Sequence, residues 1–108
     1  MKVIHRGTGA VLPYRTEGAW LELGGCLRLD LAAYELDEDN TILIYRDRRG
    51  CLLCAGGGES AYAAEIFIPA RRFTSDRKAV YEGSRPVVVK TAVPFDISRC
   101  ALTLWDLE

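Results

Sequence analysis

Cys51 and Cys54 form a C-x2-C pair, and with Cys26 and Cys100 they give the chain the four thiols that a closed zinc site uses. Their spacing argues for another role. Structural zinc sites join two close pairs, whereas Cys26 and Cys100 each stand alone in the sequence. Leu52 and Leu53, between the paired cysteines, suit a core better than a knuckle turn, and residues three apart on an extended strand point to opposite faces. Free cysteines packed as small hydrophobes fit this pattern best, so no metal or other cofactor is expected. A metal at Cys51 and Cys54, or a disulfide, is the competing assignment.

Gly56-Gly57-Gly58-Glu59-Ser60 is the second segment with chemical potential, because a glycine-rich turn that opens a helix can cradle phosphate on backbone N–H groups. It carries no lysine, and it meets neither the P-loop pattern nor G-x-G-x-x-G. Glu59 would also repel a phosphate. A loop that contacts a partner or covers a pocket is the weaker role left to it. His5 is the only histidine, and it lies in an N-terminal stretch expected to be poorly ordered, which disfavours catalysis by a nucleophile and a histidine base. Carboxylates suited to acid–base work exist in number. Asp30 with Glu35 and Glu59 with Glu65 could pair, and Glu22, Glu35, Glu59 and Glu65 are the acids that a barrel-mouth pocket would perturb. Solvation at the surface is the simpler role for each.

Charge is distributed unevenly along the chain. Asp30, Glu35, Asp37, Glu38 and Asp39 meet no lysine or arginine, whereas Arg71, Arg72, Arg77, Lys78, Arg85 and Lys90 meet only Asp76 and Glu82. The basic stretch, with Phe73 and Tyr81, gives a candidate interaction patch of Arg71, Arg72, Phe73, Arg77, Lys78 and Tyr81. Glu35, Asp37, Glu38 and Asp39 form its candidate acidic counter-patch. Patches of opposite sign on one small subunit favour head-to-tail association. Gripping nucleic-acid phosphates is an alternative use of the basic stretch, but the balance of 14 lysines and arginines against 15 acids gives no global attraction to a polyanion.

The elements that must carry these residues are short and punctuated by turns, as in all-β domains. Ala10-Val11-Leu12, stopping at Pro13, reads as an opening strand paired with Ala19-Trp20-Leu21-Glu22-Leu23. Gly24-Gly25 then turns the chain into Cys26–Leu31, where Leu27, Leu29 and Leu31 share a face. The phase changes after Ala32-Ala33, which predicts a bulge, a bend or a short helical turn, and Asp37 to Asn40 is turn chemistry. Thr41–Tyr45 and Cys51–Ala55 read as a hairpin buried on both sides. From Tyr62 to Ile68, Tyr62, Ala64, Ile66 and Ile68 should line one face. The Ala-rich stretch 59–66 could open instead as a helix, but Ile66-Phe67-Ile68-Pro69 favours a strand. Ala79-Val80-Tyr81, a turn at Gly83-Ser84, and Val87-Val88-Val89 follow. Ile97 to Leu107 closes the chain, with Leu102 and Leu104 opposite Thr103 and Trp105.

About eight short, mostly antiparallel strands in 108 residues predict one all-β domain over residues 1–108, a compact β-sandwich or small β-barrel. The 49% of hydrophobic residues suffice for a core without a staple. The N-terminus lacks the apolar run of a secretory signal, and charges interrupt every run well short of the about 20 residues that span a bilayer. The cytoplasm is therefore the expected compartment. Poverty of catalytic groups, a strand running to the end and the charge asymmetry together point away from an enzyme. They point to a structural or protein-interaction module, a homo-oligomer or a part of a larger bacterial or phage-type assembly. A barrel binding a small molecule or using carboxylates in its mouth is the rival expectation.

Overall fold

The computed structural model describes residues 1–47, 51–53, 61–82 and 85–106, with residues 53, 61, 75–82 and 85–89 described by their backbone alone. Among the described residues there are ten strands: β1 (Lys2–Arg6), β2 (Tyr14–Glu17), β3 (Trp20–Leu23), β4 (Leu27–Asp30), β5 (Asn40–Arg46), β6 (Leu52–Leu53), β7 (Ala61–Ile68), β8 (Phe73–Glu82), β9 (Arg85–Ala92) and β10 (Ala101–Trp105). Two 3-10 turns, Leu31–Tyr34 and Ile97–Arg99, complete the regular structure. The chain is all-β.

The strands form a five-stranded sheet in the order β1-β10-β7-β5-β6, a three-stranded sheet β2-β3-β4, and a two-stranded ribbon β8-β9. The first two pack as a sandwich. Leu21, Leu23 and Leu29 of the smaller sheet share one core with Ile42, Ile44, Ala64, Ile66, Ile68, Leu102 and Leu104 of the larger. The alternation that marks these strands in the sequence is what makes this possible, since period two sends every second side chain to the same face. Among the described residues the five-stranded sheet ends in β1 and β6 and does not close on itself, so these strands form an open sandwich and not a barrel.

Several local expectations are met. β4 leads into the 3-10 turn Leu31–Tyr34, where Asp30 caps the start by accepting the Ala32 N–H at 3.2 Å. Residues 61–68 are strand and not helix. In β10, Leu102 and Leu104 are fully buried.

Other expectations are corrected. The opening strand is β1 and not Ala10–Leu12, and the first hairpin pairs β2 with β3. Gly18, at φ +59, supplies the first position of the two-residue turn between them, a conformation that costs a side chain but not glycine. Leu12 is nevertheless buried and Val11 packs on the core. β1, containing His5, is ordered because it pairs in parallel with β10, from Lys2↔Ala101 to Arg6↔Trp105. This pair, the only parallel one among the described residues, joins the first strand to the last described one. Gly7, at φ +110, lies directly under the Asp106 carboxylate, which accepts the Gly9 N–H at 3.0 Å and fastens the loop after β1 to the end of β10.

Tyr62 does not share a face with Ala64. The register passes from Ile44↔Ala64 to Tyr45↔Tyr62, so Ala63 is an extra residue in β7 and the alternation changes phase there. Ala63 and Ala64 are both fully buried, and Tyr62 emerges half exposed on the outer surface of the sheet.

The ribbon is longer than the sequence pattern suggests, ten residues in β8 and eight in β9. Residues 77–78 and 85–90, read as basic stretch and short strand, belong to it. Val93 N–H donates to the Arg72 carbonyl at 2.8 Å and closes its base. A ten-residue strand spans about 30 Å, in keeping with a chain whose longest dimension is 64 Å against 25 and 21 Å in the others.

Ile44 and Leu104 sit at the centre of the shared core with no exposed surface. Ile44→Ala or Leu104→Ala is expected to cost about 2 to 5 kcal/mol, read as a shift of the urea midpoint at unchanged slope.

Candidate functional site

The acidic and basic patches meet inside the chain. The segment after the 3-10 turn carries Glu35, Asp37, Glu38 and Asp39, and the link from β7 to β8 carries Arg71 and Arg72. The Arg71 guanidinium donates from Nη2 to the Glu35 carbonyl at 2.9 Å, from Nη1 to Asp37 Oδ1 at 3.1 Å and from Nε to Glu35 Oε1 at 3.4 Å. The Arg71 N–H donates to the Leu36 carbonyl at 2.8 Å, and Asp39 accepts the Ala70 N–H at 2.8 Å. Asn40 Nδ2 reaches the Tyr34 carbonyl at 2.8 Å and holds the turn from its other side.

This is a clip with graded contributions. Glu35 is buried, 8% exposed, so its pairing with Arg71 spares a carboxylate from lying unpartnered in the protein. Asp37 is well exposed, and its share is that of a surface pair. Glu38 and Arg72 are exposed, and Phe73 is 48% exposed at the base of the ribbon, opposite Ala92. Arg77, Lys78 and Tyr81 follow along β8. Of the sequence-derived candidates, Arg71, Glu35, Asp37 and Asp39 therefore form one internal cluster, and Arg72, Phe73, Arg77, Lys78 and Tyr81 lead away from it along the ribbon.

Among the described residues, Cys26, Cys51 and Cys100 belong to no group of three or more side chains placed to hold a metal ion. Cys100 is buried, and burial pushes its thiol above the ordinary value. Cys26 and Cys51 are exposed, which corrects the expectation that all four are core residues. Cys51 closes the β5–β6 turn: its N–H donates to Asp47 Oδ1 at 2.9 Å and its carbonyl accepts the Asp47 N–H at 3.0 Å. Cys54, Gly56-Gly57-Gly58 and Glu59 lie outside the described residues. Among those described, no group of three or more His, Cys, Asp or Glu side chains is placed to hold a metal ion, and no helix is long and apolar enough to cross a membrane.

Two surface features were not singled out from the sequence. On the outer face of the large sheet, Tyr45 stacks on Tyr62 with centroids 4.8 Å apart, and Tyr62 tilts against Trp105 at 5.8 Å. The row crosses β5, β7 and β10. The hydrogen bond between the Tyr45 and Tyr62 hydroxyls, 3.4 Å, raises the Tyr45 pKa. Trp105 was legible as outward-facing, but Tyr62 was not, because the extra residue in β7 has no signature in period-two alternation.

The second feature is the outer face of the small sheet. Arg15 pairs with Glu22 at 2.7 Å, and the Arg28 guanidinium lies 5.2 Å from the Trp20 ring centroid. A shallow, open depression of ≈ 270 Å³ lies beside it, lined by Pro13, Tyr14, Arg15, Glu22 and Gly25. Its two charged groups bond each other. Of the remaining pocket candidates, Glu35 is held in the clip and Glu65 is half buried opposite Leu43 and Thr103.

Asp96 caps the 3-10 turn Ile97–Arg99, accepting the Ser98 hydroxyl at 2.7 Å and its N–H at 2.9 Å. Those bonds, chiefly the hydroxyl, hold its carboxyl below the ordinary value, with Arg72 and Arg99 assisting. Comparison with protein-family models, with curated proteins and with solved structures finds no match to this chain.

Arg71→Ala is expected to cost about 1 to 3 kcal/mol, because it strips a buried carboxylate of its partner. Asp37→Ala should cost no more than about 1 kcal/mol, and chemical denaturation of both variants checks the ranking. The Asp96 contribution has a definite sign. A carboxyl depressed on folding stabilises the protein above its unfolded pKa, and that stability is lost as pH falls through the folded value. The melting temperatures of the wild-type protein and Asp96→Asn should therefore converge on acidification.

Proposed function

We propose that this chain is a protein-interaction module that assembles with copies of itself. The observation that carries this reading is the ribbon. β8 and β9 pair only with each other, and among the described residues no third strand joins them. An isolated two-stranded ribbon is marginal in water, and stability comes from a third strand or from packing against another element. A ribbon of this length standing outside both sheets therefore gains most by meeting another surface.

Charge supports a second copy as that surface. Residues 73–92 carry Arg77, Lys78, Arg85 and Lys90 against Asp76 and Glu82, a net +2, which leaves −3 for the rest of a chain whose total is −1. Ribbon and body of different copies attract, and such steering raises the rate of encounter at low salt. The charge asymmetry seen in the sequence thus divides into two roles. Arg71 is engaged by Glu35 and Asp37 within its own chain, and the charges beyond Arg72 are those offered to a partner.

Sedimentation velocity over a micromolar concentration series, at low and moderate salt, tests the proposal. A mass above that of the 12.0 kDa chain, falling as salt rises, is the expected result. A single monomeric species throughout both series would overturn it.

A further inference from the structure

The ribbon needs a site with unmet backbone hydrogen bonds, and β2 has one. The ladder between β2 and β3 runs from Tyr14↔Leu23 to Glu17↔Trp20. Gly24 N–H donates to the Pro13 carbonyl at 2.8 Å, which makes Pro13 and Gly24 a hydrogen-bonded pair just beyond this register. Such pairs alternate in an antiparallel ladder. Arg15↔Glu22 and Glu17↔Trp20 are then hydrogen-bonded as well, in agreement with the two-residue turn that closes the hairpin. Tyr14 and Thr16 fall on the other alternation, so their N–H and C=O groups point away from β3. β2 ends its sheet, and no strand among the described residues lies on that side.

The side chains of β2 show the same vacancy. Leu21 and Leu23 of β3 are fully buried, yet Thr16 and Tyr14, their register partners on the same face, are exposed, Tyr14 to 45%. The apolar face of the small sheet therefore runs past the core at this edge. Three strands stand opposite five, and a ribbon supplies two.

We infer that β9 of one copy adds to the free edge of β2 in the next, extending the three-stranded sheet to five strands. This rests on the self-association proposed above and names the surface it uses. β9 is the better donor of the two strands. Its sequence Val87-Val88-Val89 is apolar at both alternations, whereas β8 carries Asp76, Arg77, Lys78 and Glu82. Pro86 has no N–H and is suited to an edge strand, so the segment available for pairing is Val87–Ala92, longer than the four residues of β2. Main-chain hydrogen bonds give such strand addition its affinity, and the alternate side chains give it specificity.

Two full-length variants test the inference. Thr16→Pro removes the outward N–H of β2 without touching the ladder to β3, and Val88→Pro disables the ribbon as a donor strand. Each alone should sediment as a monomer with the far-ultraviolet circular dichroism of the wild-type sandwich. Mixed, they should form a one-to-one complex that grows no further, since one retains a ribbon and the other a free edge. On the wild-type protein, amide exchange at Tyr14 and Thr16 should slow as concentration rises, a readout that does not depend on any variant folding. If the wild type associates but Thr16→Pro associates equally well, and Tyr14 and Thr16 exchange at the same rate at all concentrations, strand addition at β2 is overturned while self-association stands. A wild type that stays monomeric would overturn both.

Discussion

The sandwich depends on one placement, that of β10 between β1 and β7. Leu102 and Leu104 reach the core only because the last strand of the chain is central in its sheet, held on one side by β7 in antiparallel register and on the other by β1 in parallel register. Remove that placement and the five-stranded sheet falls into two pieces, with β1 left without a partner. The Asp106 carboxylate bonded to Gly9 N–H secures the junction at its outer end. Because Lys2 pairs with Ala101, the sheet can be completed only after nearly the whole chain exists. Pairings so distant in sequence are entropically slow to form.

Around that sheet the molecule divides its polar groups by purpose. Glu35, Arg71, Asp37 and Asp39 fasten the 3-10 turn to the start of the ribbon, and do so with backbone carbonyls and N–H groups as much as with charge. Such a clip fixes where the ribbon departs from the sandwich. The charges farther along the ribbon differ in sign from the remainder of the chain. In the proposed self-association, anchoring the root of the basic arm by this clip would spare orientational entropy that a freely swinging arm loses on docking.

Much of the sandwich was legible because it obeys period two. Leu21 and Leu23, Leu29 and Leu31, and Leu102 and Leu104 alternate in the sequence as they do in the core, whereas β5, read as buried on both sides, buries only Ile42 and Ile44. Three things were not legible, each for a physical reason. β1 has no local signal, because its partner lies about a hundred residues away and its residues are only partly buried. Tyr62 changes faces at a bulge formed by two small alanines, and alternation alone does not reveal one added residue. The acidic and basic patches were both visible, but their meeting depends on the fold that brings the turn after β4 against the end of β7. Sequence composition reports charge, and only topology reports whether that charge is already paired.

The hydrogen bond from Val93 N–H to the Arg72 carbonyl makes the two ends of the ribbon immediate neighbours. Everything between them is, topologically, an excursion that leaves the sandwich and returns to the same spot. Lengthening or shortening such an excursion changes closure entropy only logarithmically and moves no core residue. The reach of the arm is thus a variable that evolution or a protein engineer can adjust while the sandwich stays the same, so in the proposed assembly the spacing between copies could be tuned separately from the stability of each.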